Sequence, residues 1–247
     1  REQDMWGATP LDQMLCRIRF RSLRYDGIFT PPSEQGSLVY PGNFGVFDWG
    51  GLAVDPVRQV AFLNPSYMAF TSTLIPAAEV QANIERKSEI EGVQPNRGAP
   101  YGVVLEPLLS AIGLPCQAPP WGYVAGLDLQ TMEVKWMHKN GTVRDSSPLP
   151  LPLPLGMPGI GGPIITGSGV VFMAAAVDNY LRAYDLTTGQ ELWRGRLPAG
   201  GQATPMTYLD SQGRQMVVLV AGGHGSIGTD LGDHVLAWRL PDARGAN

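Results

Sequence analysis

One of the three histidines in the chain has the surroundings of a ligand-binding residue. His224 stands in the segment AGGHGS (residues 221–226), directly after an apolar run with the pattern of a strand. Glycines let a backbone approach a ligand closely, and loops at strand ends often carry binding residues. We therefore predict that His224 contacts a ligand; the alternative is a histidine in a mobile loop. His138 and His234 have weaker claims because they lie in or next to repeated strands.

The glycines around His224 match a dinucleotide-binding fingerprint only superficially. The pattern Gly-x-Gly-x-x-Gly spans residues 223–228. That fingerprint requires a following helix, a second strand and an acidic residue about 20 positions further on. Here the next segment has the pattern of a strand, so we reject a dinucleotide site.

Two further regions carry candidate binding groups. In the glycine-rich segment 41–51, the Asn43 amide can bond a carbonyl or ligate a hard cation, and the Trp49 indole can wall a planar ligand. The alternative is that Trp49 packs between repeats while Asp48 caps a turn. Asp178, which ends the otherwise apolar run 174–178, is either a turn-forming residue or a carboxylate directed into a central channel.

The two cysteines, Cys16 and Cys116, have no metal-binding or haem-attachment spacing. Neither belongs to a CxxC or CxxCH motif, which excludes zinc fingers and c-type haem attachment. The sequence is compatible with a Cys16–Cys116 disulfide in an oxidising compartment, and equally with two separate buried thiols.

An internal repeat indicates the elements that must position these residues. Three segments align without gaps at offsets of 57 and 54 residues: 122–129, 179–186 and 233–240. The first two copies continue in step to Trp136 and Trp193. Each copy predicts a strand, a tight turn and a second strand whose tryptophan packs on the neighbouring repeat. Met132 stands where the second copy has Gly189, which predicts a looser turn in the first copy.

Glycine pairs and apolar runs complete the repeating unit. The pairs lie at residues 50–51, 161–162 and 200–201, and later strand-like runs lie at 60–62, 170–172 and 216–220. Four short strands per unit of about 40 to 57 residues are the signature of a β-propeller blade. We predict an all-β fold, a partial β-propeller of about three blades.

Three stretches depart from the repeat. Thr9 and Pro10 predict the start of a short N-terminal amphipathic helix. Its apolar face comprises Leu11, Met14, Leu15 and Ile18. Residues 64 to 120 predict an insertion that forms a surface excursion, with a charged helical piece at 77–91. The proline-leucine run 148–155 predicts an extended connection between blades.

Composition and charge exclude several classes of protein. The 247 residues, 44% of them apolar and 16% charged, can bury a core. The 31 glycines and 22 prolines form no Gly-X-Y period, so they indicate turns rather than collagen. A net charge of −4 without a basic cluster argues against a nucleic-acid-binding protein, and no apolar run reaches the roughly 18 residues of a membrane span. Because the chain starts at Arg1, we expect a piece of a longer protein.

Long motifs give the sequence a specific resemblance. They are 6–17 (WGATPLDQMLCR), 29–45 (FTPPSEQGSLVYPGNFG), 49–58 (WGGLAVDPVR) and 197–208 (LPAGGQATPMTY), with AGGHGS at 221–226. Together they resemble the C-terminal part of the membrane-bound glucose and quinate/shikimate dehydrogenases that depend on pyrroloquinoline quinone (PQQ).

The resemblance implies a fold, a reaction and a location. Residues 1–247 would form the C-terminal portion of one eight-bladed propeller, in a periplasmic enzyme held at the inner membrane by an N-terminal region. Such an enzyme oxidises an aldose or a cyclic polyol with PQQ and a divalent cation, calcium or magnesium, and passes electrons to ubiquinone. The catalytic aspartate and the cofactor-contacting lysine would belong to earlier blades, so this piece alone would have little or no activity.

The same resemblance implies site residues by motif position. Asn43 in PGNFG matches a cofactor-site asparagine, and Asp178 in VDNY matches an aspartate near the cofactor. His224 matches a histidine at the mouth shared by substrate and cofactor. Trp49 is also assigned to the cofactor site, and Asp26 is proposed from its position alone. The ligands of the cation stay unknown.

Two other functions have to be weighed. A non-catalytic propeller scaffold of the outer-membrane assembly type also carries Ala-x-Asp-x-x-Thr-Gly-x-x-x-Trp repeats, which report blade packing alone. It would not require the GNFG and GGHGS motifs. A quinohaemoprotein alcohol dehydrogenase with a fused cytochrome is disfavoured because CxxCH is missing.

Overall fold

The computed structural model describes residues 1–86, 92–146 and 150–240, and most of its regular structure is antiparallel β-sheet. The described α-helices are α1 (Pro10–Ser22) and α2 (Val80–Arg86), and short 3₁₀ turns span Glu2–Asp4, Ala77–Glu79 and Gly225–Ile227. The described strands are β1 (Ser37–Val39), β2 (Ala53–Asp55), β3 (Val60–Leu63), β4 (Phe70–Pro76), β5 (Val93–Gln94), β6 (Tyr101–Pro107), β7 (Tyr123–Asp128), β8 (Val134–Lys139), β9 (Ile164–Ile165), β10 (Val170–Met173), β11 (Tyr180–Asp185), β12 (Glu191–Arg196), β13 (Met206–Leu209), β14 (Gln215–Ala221) and β15 (His234–Arg239).

The chain divides into two compact units. Unit 1 comprises Arg1–Val46, Ser66–Gly122 and Gly225–Gly228. Unit 2 comprises Phe47–Pro65, Tyr123–His224 and Thr229–Asn247.

Unit 2 contains the three sheets that the repeat predicts. Their strand orders are β2-β3-β7-β8, β9-β10-β11-β12 and β13-β14-β15, with antiparallel neighbours throughout. The aligned segments become β7, β11 and β15, the third strand of each sheet, and each strand starts at the second residue of its segment. The repeat was therefore interpreted correctly as one sheet per copy.

Apolar side chains on the facing sheets form the core of unit 2. Phe62, Val171 and Leu186 belong to a cluster that joins the first sheet to the second. Leu181, Leu197 and Leu219 belong to one that joins the second sheet to the third. Alternating residues of β3, β10 and β14 supply much of these clusters, because successive side chains of a strand point to opposite faces, and Leu186 and Leu197 directly follow β11 and β12.

The tryptophans of the repeat pack on the next repeat, as predicted. The Trp136 indole donates to the backbone oxygen of Leu186 at 3.1 Å. A Cβ at Gly126 or at Gly189 would overlap the Trp136 ring, so both glycines make room for it. In the second and third sheets, Trp193 and Trp238 meet edge to face at 6.2 Å.

The looser turn predicted at Met132 is wrong. Met132 has φ +60° and Gly189 has φ +73°, so both occupy the left-handed region. The Met132 amide donates to Asp128 at 2.8 Å, and the Gly189 amide makes the equivalent bond to Asp185 at 2.8 Å. The two turns share one geometry, and methionine adopts it at a conformational cost that glycine avoids.

Unit 1 contains most of the predicted insertion at residues 64–120, whose description as a surface excursion stays a prediction. This segment does connect β3 to β7, but it supplies β4, β5 and β6, which pair with β1 in a fourth sheet of order β1-β4-β6-β5. Periodicity along the chain could not reveal this sheet, because β1 joins it from outside the segment. The expected helical piece begins as the Ala77–Glu79 turn and continues as α2; residues 87–91 lie outside the described residues.

Helix α1 forms as predicted, with Thr9 as its N-cap and Pro10 in its first turn. Its inner side carries Cys16, which forms a disulfide with Cys116 and is buried with Met5 and Leu108. The sequence left this bond open. The apolar side of α1 is exposed to solvent.

The predicted proline-leucine connection is described in part. Residues 150–155 lie between β8 and β9 and belong to no helix or strand. Ser147, Pro148 and Leu149 lie outside the described residues.

Candidate functional site

Chain connections at one end of unit 2 are joined by hydrogen bonds into a polar layer that we call the rim. Gly50 donates to the oxygen of Ile160 at 3.3 Å, and Gly200 donates to the oxygen of Asp230 at 3.0 Å. The Gln202 side chain donates to Ala176 at 3.2 Å. The rim consists of residues 48–51, 159–162, 174–179, 199–202, 222–224 and 229–232. It carries three of the predicted site residues: Trp49, Asp178 and His224.

Glycines allow the rim segments to approach each other this closely. A Cβ at Gly50 would overlap the backbone of Gly161 and Gly162, and a Cβ at Gly162 would overlap that of Gly50. A Cβ at Gly200 would collide with the Thr229 side chain. Gly50, Gly161 and Gly162 therefore serve close packing against neighbouring backbone, and Gly200 makes room for the Thr229 side chain.

Trp49 and His224 come from different sheets and meet at the rim. Their ring centroids are 5.1 Å apart, with the ring planes tilted by 41°. The Trp49 side chain is 61% exposed and His224 is half-buried. The pair therefore presents an indole face and an imidazole side by side, with glycine backbone around them.

Both rings are carried by fixed turns. The Trp49 amide donates to the Asp48 carboxylate at 2.7 Å, and Gly51 closes the turn by donating to the Asp48 oxygen at 2.9 Å. This is the turn-capping role considered for Asp48. The His224 amide donates to the Thr229 hydroxyl at 2.8 Å. The local backbone of both rings is thus defined before any ligand binds.

Asp178 is fully buried and engaged by residues of unit 2. The Arg182 guanidinium donates to both carboxylate oxygens, at 2.8 Å and 2.5 Å. Thr142 donates its amide and its hydroxyl to one of the same oxygens, at 2.8 and 3.1 Å. These bonds fix the connection that follows β8 against the one between β10 and β11. In this arrangement Asp178 is a structural anchor of the rim, and direct contact with a cofactor stays a prediction.

The charge of Arg182 is stabilised despite its burial. Burial, the largest single influence, would lower the pKa of Arg182, but the Asp178 carboxylate together with Tyr184 and Glu191 raises that pKa above its usual value. Glu191 adds a weaker contact at 3.4 Å. A buried guanidinium that keeps its proton requires its carboxylate partner, so Asp178 and Arg182 act as one unit.

Asn179, next to Asp178, is anchored on two sides and leaves one acceptor open. Its amide nitrogen on the side chain donates to Asp230 at 2.8 Å, and its backbone amide donates to Asp145 at 3.0 Å. Its Oδ1 is buried and has no hydrogen-bond partner within the described ranges. A buried acceptor of this kind fits a donor group brought by a ligand or a water molecule.

Sequence reasoning missed the two buried amides that brace the rim. The Gln202 side chain accepts from Ile160 at 3.5 Å as well as donating to Ala176, and the Asn64 side chain donates to Gly161 at 3.0 Å. The only available signal was position: Gln202 follows a glycine pair, and Asn64 follows β3. These positions do not indicate that the two side chains are buried, because asparagine and glutamine are usually exposed.

Asn43 and Asp26 belong to unit 1. Asn43 is exposed in a turn that Gly42 fixes by donating to Met68 at 2.7 Å. A Cβ at Gly42 would overlap the Phe70 ring, which accounts for this glycine in the PGNFG motif. Asp26 is exposed and paired with Arg24 at 2.6 Å. The cofactor roles assigned to both residues stay predictions.

These residues fit a planar cofactor better than a metal ion. The exposed Trp49 indole and the adjacent His224 imidazole can border an aromatic ring system with polar edges. Residues 1–86, 92–146 and 150–240 contain no group of three or more His, Cys, Asp or Glu placed to hold a metal. Both oxygens of Asp178 are already engaged, so it supplies no open ligand for a cation.

Comparison with known proteins shows that the chain is similar to dehydrogenases that use PQQ. The profile of the glucose/ethanol/alcohol dehydrogenase β-propeller domain (PQQ) matches residues 1–217. Quinoprotein glucose dehydrogenase A of Acinetobacter calcoaceticus is 56% identical over 98% of this chain and 30% of its own length. The quinoprotein glucose dehydrogenase of Escherichia coli K12 is 55% identical over 97% of this chain and 31% of its own. The quinate/shikimate dehydrogenase (quinone) of Acinetobacter baylyi is 43% identical over 97% and 31%.

The chain thus spans about 30% of the length of these curated relatives. Among solved structures, the quinohaemoprotein alcohol dehydrogenase from Comamonas testosteroni matches with a TM-score of 0.53 at 19% identity, over 83% of this chain and 27% of that one. At this identity the likeness concerns the fold. Within the described ranges, we find no helix with the length and apolarity needed to cross a bilayer.

Proposed function

This chain belongs to the PQQ-dependent glucose/ethanol/alcohol dehydrogenase family of β-propeller proteins, and we propose that it acts as part of a quinoprotein dehydrogenase that oxidises an aldose or a cyclic polyol. The observation that carries the proposal is the 56% identity to a quinoprotein glucose dehydrogenase over 98% of the chain. As the chain spans 30% of that relative, the proposed activity is that of the longer assembled propeller.

Glucose is the preferred substrate in this proposal, and quinate or shikimate is the second choice. Two relatives named for glucose reach 55–56% identity, against 43% for the relative named for quinate and shikimate. All three matches cover 97–98% of this chain, so the difference does not come from coverage. These relatives are all named as dehydrogenases, which disfavours the alternative of a non-catalytic propeller scaffold.

The rim supplies binding and orientation in this reaction. PQQ, when bound, supplies the acceptor for the hydride equivalent that leaves the alcohol carbon. The exposed Trp49 indole borders the planar ring system, and the His224 imidazole bonds a polar edge of the cofactor or a substrate hydroxyl. Asp178 contributes through Arg182 and Thr142, by holding the rim connections in place.

Further assignments follow from the family resemblance. Asn43 contributes a hydrogen bond to the cofactor, and a divalent cation, calcium or magnesium, completes the site with ligands from outside this chain. The protein lies in the periplasm, and electrons pass to ubiquinone in the inner membrane. The catalytic base is an aspartate outside this chain.

The test uses the protein at the full length in which it is made, loaded with PQQ and calcium, and follows reduction of a redox dye. We expect turnover of glucose, and a loss in kcat/KM of about tenfold to a hundredfold for His224→Gln, the effect of one lost hydrogen bond to a ligand. His138→Gln is the matched control, because His138 stacks on Trp136 within the first sheet. If no aldose or cyclic acid reduces the dye, the proposed function is wrong. If both histidine variants behave alike, the assignment of His224 is wrong.

A further inference from the structure

Helix α1 in unit 1 exposes the face that an amphipathic helix normally buries. Leu11, Met14, Leu15 and Ile18, spaced to share one side of the helix, are between 39% and 63% exposed. The opposite side is fixed: Cys16 is 1% exposed and bonded to Cys116. The helix therefore cannot rotate its apolar stripe inward without breaking this attachment.

Arginines flank the apolar stripe on both sides. In an ideal helix, residues 17 and 21 lie along one edge of the stripe and residue 19 along the other. Arg17 and Arg21 share the carboxylate of Glu2, at 3.0 and 2.6 Å. Arg19 donates to the backbone oxygen of Leu109 at 2.9 Å. The arginines are thus fixed beside the stripe, and one carboxylate is shared between two of them.

The charge of this helix differs in sign from that of the chain. α1 contains three arginines and one acidic residue, Asp12, which is buried; the chain as a whole has a net charge of −4. A groove beside the stripe is lined by the apolar Pro10, Met14 and Ile18, by Arg17 and Arg21 with their partner Glu2, and by Gln13. Apolar and cationic groups therefore meet along one line on the surface of unit 1.

The segment that follows the helix exposes two more large apolar side chains. Ile28 is 88% and Phe29 96% exposed at the tip of a turn that Thr30 closes by donating to Gly27 at 3.2 Å. Tyr25, just before this turn, contacts Phe20 in the last part of α1, with ring centroids 6.5 Å apart. A water-exposed tip of this composition is unfavourable unless something apolar covers it.

We propose that the apolar stripe of α1 and its flanking arginines form a contact surface for an anionic lipid bilayer; the Ile28–Phe29 tip is a separate exposed apolar feature of unit 1. A helix with an apolar stripe edged by arginines can lie flat in the membrane–water interface. Its apolar side chains and the methylene groups of its arginines then enter the acyl region, while the guanidinium groups stay at the lipid phosphates. Of the candidate occupants, a bilayer matches both features, because it offers apolar depth beneath a negatively charged layer. The surface shares no residue with the rim, and the proposal does not depend on the proposed reaction.

The test places a fluorophore on the stripe in the protein at the full length in which it is made. The cysteines of this chain are joined in a disulfide, so Ile18→Cys introduces a thiol that can be labelled. Val57→Cys, on a turn of unit 2 where the native side chain is 86% exposed, is the matched control. Both proteins are placed on bilayers with about 30% anionic phosphatidylglycerol and treated with a lipid-borne spin-label quencher and with aqueous iodide.

The expected result is quenching from the lipid at position 18 and from iodide at position 57. Arg17→Gln with Arg21→Gln should reduce the lipid quenching at position 18 several-fold, and high salt should act in the same direction. Iodide quenching at position 18 would show an uncovered helix, and protection from both quenchers would show that another part of the protein covers it. Either outcome overturns the proposal.

Discussion

At the scale of single residues, the Asp178 carboxylate defines how much of the rim is structural. Thr142 and Arg182 occupy both of its oxygens, and the residue is fully buried. A carboxylate in this state influences a ligand through the backbone that it fixes. Its resemblance to a cofactor-site aspartate is therefore compatible with an indirect role.

Asp178→Asn should lower the free energy of unfolding by about 3–5 kcal/mol, because it leaves the Arg182 guanidinium buried without a counter-charge. The double variant Asp178→Asn, Arg182→Met should recover much of this loss. Denaturant unfolding of both variants measures the difference.

PQQ affinity of the same variants separates the two roles. If Asp178 acts through Arg182 and Thr142, affinity should return together with stability in the double variant. Stability that returns without PQQ affinity would instead show that Asp178 contacts the cofactor directly.

At the scale of elements, the β7–β8 and β11–β12 turns form a natural comparison. They have the same hydrogen bonds and the same left-handed residue, Met132 in one and Gly189 in the other. The Met132 side chain is 68% exposed, so replacing it removes little buried apolar surface.

Met132→Gly should therefore raise the free energy of unfolding by about 1 kcal/mol, by relieving the left-handed strain of a non-glycine residue. Gly189→Ala should lower it by about 2 kcal/mol or more, because it adds that strain and a Cβ that overlaps Trp136. Thermal unfolding of the two variants checks both signs. A destabilised Met132→Gly protein would show that the methionine side chain has a packing role.

The elements that could be predicted are those whose signal is local and repeated. β7, β11 and β15 follow from one aligned pattern, and Trp136 follows from its fixed distance to that pattern. The sheet of unit 1 could not be predicted, because β1 pairs with β4 across more than thirty residues and no repeat marks the register. The stripe on α1 was recognised as amphipathic, but its exposure depends on the Cys16–Cys116 bond, which the sequence left open.

The residues of the candidate site also divide into those that the sequence identified and those that it did not. Glycine-rich loops identified Trp49 and His224, and the structure brings these two rings together at 5.1 Å. The partners that fix the rim from distant segments, Gln202 and Thr142, carry no local signal. Their roles arise from contacts between sheets, which depend on how distant segments pack.

At the scale of the whole molecule, the third sheet of unit 2 has one apolar face without a partner in the described residues. Val217 and Leu219 of β14 pack toward the second sheet, while Val220 and Val235 on the other face are 46% and 72% exposed. Val220 and Val235 are directly opposite each other in the β14–β15 register, and Met206 and Tyr208 of β13 are also exposed. The first two sheets each use such a face to pack on a neighbour, and this chain spans about 30% of its relatives, so in a longer propeller a further sheet would cover it.

The chain of 247 residues on its own should therefore self-associate and bind a hydrophobic dye, because an uncovered apolar sheet face favours association. Val220→Thr with Val235→Thr should reduce both effects while leaving the unfolding free energy within about 1 kcal/mol, since these side chains are already largely exposed. Sedimentation velocity and dye fluorescence measure the change, and Val57→Thr, on an exposed turn of the first sheet, is the control that should have no effect. A monomeric chain that binds no dye would mean that this face of the third sheet needs no further sheet to cover it. The exposed face would then give no support to the idea that the chain is part of a longer propeller.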